Sequence, residues 1–251
     1  MIFIKKEEEI EKMKKAGKLL AQVHKEIRKM IKPGITTYEI DKFVEDYIIK
    51  NGGYPEQKGY RGYQYATCAS INDEICHGFP RKEPLKDGDI VTIDMVVNID
   101  GWLADSAWTY AVGNISDEAK KLLEVTKKAL YIGIEQAVVG NRIGDISHAI
   151  QSYVEGEGFS VVRDFVGHGI GRSMHEDPQV PHFGIPGRGP RLMEGMVITI
   201  EPMVNVGRYE CTLDSNGWTA RTIDGSLSAQ FEHTIAITKD GPMILTDQEE
   251  E

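Results

Sequence analysis

DGDIVTIDMVVNIDGWLADSAWTY, residues 87–110, places an acid in the middle of an apolar strand. Asp94 follows Ile90, Val91 and Ile93 and precedes Met95, Val96 and Val97. An ionised carboxylate in such surroundings costs several kcal/mol unless it is paired, hydrogen-bonded or bound to a metal. The chain then runs to Asn98, turns through Ile99, Asp100 and Gly101, and returns through Trp102 to Asp105, which predicts a hairpin. A turn centred between Ile99 and Asp100 sets Asp94 directly opposite Asp105, with Cβ atoms about 4.5–5.5 Å apart. A register shifted by two residues makes the pair diagonal and keeps both side chains on one face. Two like charges so placed weaken a sheet; a cation between them reverses the sign. Asp105 alone reads as an ordinary turn-flanking acid, but Asp94 does not.

Working outward, the same strand occurs twice. EGMVITIE (194–201) beside DGDIVTID (87–94) aligns Gly88 with Gly195, Thr92 with Thr199 and Asp94 with Glu201. The helices repeat as well. Ile10, Met13, Ala16, Gly17, Leu20, Val23, Ile27 and Met30 recur at helical spacing until Pro33-Gly34, and Thr36 with Glu39 has the spacing of a capping box for a second helix ending near Asn51-Gly52-Gly53. Ser116 caps the corresponding helix of the second half, with Leu122, Leu123, Ala129, Leu130 and Ile134 on its apolar face. Gly34, Ile40, Tyr47 and Gly52 find Gly140, Ile146, Tyr153 and Gly158 at one constant offset. CHGFP around His77 also resembles GHGIG around His168. The expectation is a single catalytic domain, 1–251, of two pseudo-repeats (5–112 and 113–246) whose acids meet at one central site, followed by a frayed acidic tail, 247–251. Chance explains similar helices well and the aligned acids poorly.

Two more residues join this set. Glu232 lies in AQFEHTIAIT, where alternation places Glu232, Thr234 and Ala236 on one face and Phe231, His233 and Ile235 on the other. By itself it also fits the solvent face of an edge strand. His168, between glycines, predicts a tight turn where backbone approaches closely, and a lone histidine there is more often structural than a ligand. Asp94, Asp105, His168, Glu201 and Glu232 together offer hard oxygens and one imidazole, a donor set for manganese, iron, cobalt or zinc. Two such cations about 3.5–4 Å apart can share and acidify a water and polarise a carbonyl, which describes a hydrolase. His77 and His175 are candidates for orienting a substrate or donating to an oxyanion. HEDP at His175 is not the HExxH zinc motif, because no second histidine follows at the required spacing.

Composition sets the outer bounds. A chain of 251 residues with 41% hydrophobic content can bury a large core without staples. Cys68, Cys76 and Cys211 are odd in number and match no zinc module, so no disulfide is expected and a reducing, cytoplasmic setting is the default. MIFIKKEEEIEKMKKAG carries charges where a signal peptide needs an apolar core, and no stretch approaches the roughly 18 apolar residues of a membrane span. A net charge of -10 argues against nucleic acid as the main ligand. The basic residues of the first helix read as a solvated face, with RNA contact as the alternative.

CASINDEICHG, VTIDMVV, GWLADSAWTY, FVGHGIGRSMHEDP, EGMVITIEPMV and SLSAQFEHTIAIT resemble the type I methionine aminopeptidases over nearly the whole chain. The resemblance implies an α+β pita-bread fold, with two pseudo-symmetric halves around a central antiparallel sheet and helices outside. It implies two divalent ions held by Asp94, Asp105, His168, Glu201 and Glu232, with Asp105 and Glu232 bridging and Glu201 relaying a proton from the attacking water. By the same resemblance His77 and His175 contact the substrate, and Tyr60, Tyr63, Cys68 and Trp218 line the methionine pocket. Removal of the initiator methionine ahead of a small residue follows, from N-terminal Met peptides and nascent chains met at the ribosome, by a monomer. Met174 stands where many relatives have an aromatic and Gln57 where some have a smaller residue, which implies a pocket of altered shape. The compact bacterial form is the one resembled, without the zinc-binding extension of longer type I enzymes or the type II insertion. Prolidases and aminopeptidase P, which share fold and ligands but carry an additional N-terminal domain, are the nearest alternatives. A non-catalytic binding module of the same fold is a third.

Overall fold

The computed structural model of the chain describes residues 1–248. Its first half comprises α1 (Glu7–Met30), α2 (Thr37–Lys50), β1 (Tyr54–Pro55), β2 (Cys68–Ile71), β3 (Glu74–Cys76), β4 (Ile90–Ile99) and β5 (Trp102–Ala111). The second half opens with α3 (Asp117–Glu135), α4 (Ile143–Gly156), β6 (Ser160–Val161), β7 (Gly167–Gly169), β8 (Glu176–Val180), β9 (Val197–Ile200) and β10 (Met203–Asn205). It closes with β11 (Cys211–Leu213), β12 (Ala220–Thr222), β13 (Ser228–Gln230), β14 (His233–Thr238) and β15 (Gly241–Ile244).

Local chemistry sets the helix ends. Thr36 Oγ1 accepts the Glu39 N–H at 3.0 Å at the start of α2, and Ser116 Oγ accepts the Ala119 N–H at 3.1 Å at the start of α3. The expected repeat has a local counterpart in two helices of equal length, since α2 and α4 are each 14 residues long. Gly34 and Gly140 precede them at φ 99° and 98°, and Gly52 and Gly158 follow at φ 85° and 86°. Left-handed positions of this kind favour glycine, which explains why these residues repeat.

Sheet alternation separates core from site. Ile93, Met95 and Val97 on β4, with Ala104, Trp108 and Tyr110 on β5, join the main hydrophobic core beneath the helices. Asp94, Val96, Asp105 and Ala107 point the other way. Across the seam the pattern continues: Phe231 packs edge-on against Trp108 with ring centroids 4.7 Å apart, and His233 meets Tyr131 of α3. Glu232 and Thr234 therefore share the face of Asp105.

The β4–β5 hairpin turns through Asp100 and Gly101, both left-handed at φ 53° and 87°. Ile99 consequently pairs with Trp102, Asp94 with Ala107 and Val96 with Asp105. Direct opposition of Asp94 and Asp105 is thus corrected to the diagonal arrangement: an Asp-Gly two-residue turn with two positive φ values fixes the register. His168 is likewise corrected. It lies in strand β7, not in a tight turn, and its flanking glycines serve close strand approach. A Cβ on Gly167 would stand 2.3 Å from the Thr199 carbonyl oxygen, and one on Gly169 would stand 2.1 Å from that of Asp177. His77 instead occupies a left-handed turn after β3, at φ 59°, so the two His-Gly pairs are not equivalent in conformation. The start of the acidic tail is not frayed: Gln248 is buried and accepts a hydrogen bond from Arg28 of α1. Residues 249–251 lie outside the described residues.

Candidate active site

One row of residues crosses both halves. Cys68 on β2 pairs with Asp94, Asp94 with Ala107, and Ala107 with Glu232 through an isolated antiparallel bridge sealed by the Glu232 N–H to Ala107 carbonyl bond at 2.8 Å. His233 pairs with Ile200 and Met203 with Gln230. The same register carried through the break at Glu201-Pro202 sets Glu201 opposite Glu232. Directly paired residues share a face, so Asp94, Glu232 and Glu201 converge there, with Asp105 one step along β5. In the second half both acids sit at strand interruptions, between β9 and β10 and between β13 and β14, where the chain passes from one sheet to another.

Ligand-capable atoms of Asp105, His168, Glu201 and Glu232 all lie within 4.8 Å of one another. His168 Nε2 is 3.5 Å from Asp105 Oδ2 and 3.6 Å from Glu201 Oε2. Its Nδ1–H donates to the Gly169 carbonyl at 2.8 Å, which directs Nε2 toward the acids. Asp94 stands outside that tightest group. Glu232 is 0% exposed, which excludes the solvent-face reading.

The electrostatics are those of carboxyls crowded together away from water. Burial, and then the charges of Asp105 and Glu201, push the Asp94 carboxyl well above the usual range. Burial, followed by Asp105, Glu201 and Asp94, does the same to Glu232, and burial raises Glu201. Burial also pushes Asp105 upward, but the His168 imidazole and neighbouring carboxyls outweigh it and the net shift is downward. Burial opposes charge on His168, yet Asp105 and Glu201 drive its pKa up to about 9. Asp94 Oδ1, Asp105 Oδ1 and both Glu232 oxygens have no hydrogen-bond partner among the described residues. Orphaned oxygens converging beside an imidazole nitrogen suit a divalent cation, because each orphan is a lone pair awaiting an electrophile.

A cleft of about 800 Å³ opens over this row. It brings together every residue expected at the site except Glu232, which is fully buried: Tyr60, Tyr63, Cys68, His77, Asp94, Asp105, His168, Met174, His175, Glu201 and Trp218 all line it. Tyr63 is buried, its hydroxyl donates to the Thr67 carbonyl at 2.7 Å, and its ring lies 5.1 Å from Trp218, so it braces the apolar wall. Cys68 Sγ donates to Gln57 Oε1 at 3.8 Å, and burial raises its thiol pKa, keeping the wall neutral. Met174 is buried with Tyr60 packed near it in a small second core. The His175 ring is 4.5 Å from that of His168 and 5.8 Å from that of Tyr60, and His77 packs edge-on against Phe165 at 5.4 Å. Burial lowers the pKa of both His77 and His175.

Sequence reading missed the groups that hold the acids in place. Thr199 Oγ1 accepts the His168 N–H at 3.0 Å and donates to Glu201 Oε2 at 2.7 Å. Thr234 Oγ1 accepts the Asp105 N–H at 2.9 Å and donates to its carbonyl at 2.7 Å. His182 Nε2 accepts the Glu201 N–H at 3.0 Å. Signals existed for the threonines: Thr199 aligns with Thr92 in the repeat and Thr234 shares the Glu232 face. None existed for His182, nor for Asp164, Arg61 and Gln179 at the cleft rim.

The profile of metallopeptidase family M24 matches residues 11–239. The chain belongs to that family. It is 55% identical to methionine aminopeptidase 1 of Bacillus subtilis (strain 168) over 247 residues, spanning 98% of this chain and 99% of that protein. The crystal structure of methionine aminopeptidase from Rickettsia prowazekii superposes with a TM-score of 0.97 at 45% identity, covering 98% of this chain and 100% of that one. The prolidase from Pyrococcus horikoshii OT3 gives 0.80 at 25% identity, and this M24 chain spans 99% of itself but only 64% of the prolidase. The α+β pita-bread architecture expected from the resemblance is the fold of this M24 metallopeptidase. No helix among its described residues is long and apolar enough to cross a membrane.

Proposed function

We propose that the chain is a metal-dependent methionyl aminopeptidase that removes the N-terminal methionine from nascent proteins and peptides with a small second residue. The observation that carries the reading is the buried row of acids with orphaned oxygens, set beneath an apolar pocket, in a chain 55% identical to a methionine aminopeptidase. In this reading Asp94, Asp105, His168, Glu201 and Glu232 would hold two divalent ions, of cobalt, manganese, iron or zinc, which when bound would supply Lewis acidity toward the scissile carbonyl and lower the pKa of a water toward neutrality.

The chain's own groups do the rest. Tyr60, Tyr63, Cys68, Met174 and Trp218 take the methionine side chain, where flexible Met174 and the aromatic rings suit a thioether. Thr199 fixes the orientation of Glu201, which takes a proton from the attacking water and delivers it toward the leaving amine. His77 and His175, kept neutral near pH 7 by burial, can each donate one N–H to the substrate. His77 lies near the scissile amide, and His175 donates to its carbonyl oxygen as negative charge develops. We place the enzyme in the cytoplasm as a monomer acting on chains emerging from the ribosome.

Hydrolysis of Met-Ala, Met-Gly and Xaa-Pro peptides tests the specificity. Release of methionine from the first two is expected, and cleavage confined to Xaa-Pro bonds would overturn the reading. Metal content and turnover of Asp94→Ala test the site, since unchanged turnover without bound metal contradicts it.

A further inference from the structure

Residues 2–5, ahead of α1, form a strap beside the catalytic cleft. Ile2 bridges in parallel to Asp177 of β8, and the Lys5 N–H donates to the Gly195 carbonyl at 2.8 Å. Lys5 Nζ reaches Glu176 Oε1 at 2.6 Å, with the two side chains only 5% and 8% exposed. That buried pair ties the strap to the residue next to His175. Extended backbone turns alternate side chains to opposite sides. Ile2 faces a groove shared with Ile143 and Pro178, while Phe3 faces a cavity of about 550 Å³ with Val166, Ser173 and His175.

This second cavity adjoins the catalytic cleft, and His168, His175 and Gln179 line both. The methionine pocket lies on the Tyr60 and Trp218 side of those residues, and Phe3 lies on the other. A peptide whose first side chain fills the methionine pocket, with its carbonyl against His175 and its scissile amide near His77, can send its following residues past His175 and Gln179 into the second cavity. Phe3 waits there 53% exposed, although an aromatic ring ordinarily gains by being covered.

We propose that Phe3 is a specificity-determining residue: it forms a downstream subsite that receives an apolar or aromatic side chain at the third residue of the substrate. The Lys5–Glu176 pair holds the strap in place for that contact. The inference rests on the aminopeptidase reading, which supplies the direction of the peptide. The second residue, being small, bridges the rim without contributing a side chain of its own.

The test compares kcat/KM for Met-Ala-Phe-Ala and Met-Ala-Gly-Ala in the metal-loaded full chain. Wild type should favour the phenylalanine peptide by about three- to tenfold, the range of one aromatic pair, and the preference should reside in KM. Phe3→Ala should bring the ratio near one, and Phe3→Trp should keep it. Thermal unfolding of both variants verifies that the fold is intact, as expected for an exposed side chain. A wild-type ratio of one, or a ratio that Phe3→Ala leaves unchanged, overturns the subsite. Failure of wild type to release methionine from either peptide overturns the aminopeptidase reading, and this inference with it.

Discussion

Thr199→Val separates what holds the acids from what merely fills the strand. Thr199 is fully buried on β9, opposite Thr234, and valine keeps its shape while removing the hydroxyl. Two bonds are lost at once. The His168 N–H loses its acceptor at 3.0 Å, leaving a buried backbone donor that costs about 1–3 kcal/mol. Glu201 Oε2 loses its donor at 2.7 Å, a bond to a charged group when the acid is ionised, worth about 1.5–3 kcal/mol. The metal-free protein should therefore lose about 2.5–6 kcal/mol in urea unfolding where Glu201 is ionised, and about 1.5–4.5 kcal/mol where it is neutral. Because both groups are ligands in the proposed site, affinity for manganese or cobalt should also fall by about 10- to 100-fold in calorimetric titration. Thr92→Val is the internal control. Thr92 occupies the repeat-equivalent position, but its hydroxyl meets Thr109 at 2.7 Å and touches no ligand. It should cost about 1 kcal/mol and leave metal affinity unchanged. A folded Thr199→Val protein that binds metal within twofold of wild type would refute the reasoning, as would an equal loss of affinity in Thr92→Val.

Further perturbations probe other parts of the molecule. Lys5→Met leaves Glu176 unpaired at 8% exposure and should lower stability by about 3–5 kcal/mol, with Lys5→Met/Glu176→Met recovering most of it; additive losses in that double-mutant cycle would show a solvated contact instead. His24, fully buried on α1 with Nδ1 2.7 Å from the Tyr110 hydroxyl, has its pKa lowered by burial from 6.5 to about 3. The unfolded chain then binds the extra proton below pH 6.5, so stability falls as pH drops from 6.5 toward 3, by about 2 kcal/mol at pH 5 from this group alone. His24→Gln should flatten the unfolding-versus-pH curve by that amount, and an unaltered slope would contradict the assignment. Gly169→Ala would put a Cβ 2.1 Å from the Asp177 carbonyl oxygen, forcing β7 from β8 beside His168, with an expected loss of about 3 kcal/mol or more. Gly156→Ala, at the end of α4 with nothing within 4 Å of the new Cβ, should instead stabilise by about 0.4–1 kcal/mol, and chemical denaturation reads both signs.

The sequence exposes most of this site because burial of an acid is visible in one dimension. Asp94 among β-branched neighbours, and its alignment with Glu201, are facts of composition and spacing that no fold is needed to see. Register is the harder quantity. The Asp100-Gly101 pair is itself the signal for a two-residue turn with both φ values positive, and reading the turn from it gives the observed Asp94–Ala107 pairing. His168 shows the opposite ambiguity: flanking glycines mark either a turn or a close approach of strands, and only the positions of the Thr199 and Asp177 carbonyls distinguish them.

What cannot be read along the chain is the bridge between halves. Nothing local in AQFEHTIAIT indicates that Glu232 will meet Ala107, more than a hundred positions away. Yet that contact explains why the acids act as one cluster. Ala107 stands in the row between Asp94 and Glu232, and a small side chain there leaves room for the two carboxylates to approach each other. A larger residue at Ala107, which is fully buried, would fill the space into which the orphaned oxygens converge. Ala107→Val should therefore weaken metal binding without removing any ligand, and a metal affinity equal to that of wild type in a folded Ala107→Val protein would show that the row does not set the site's dimensions.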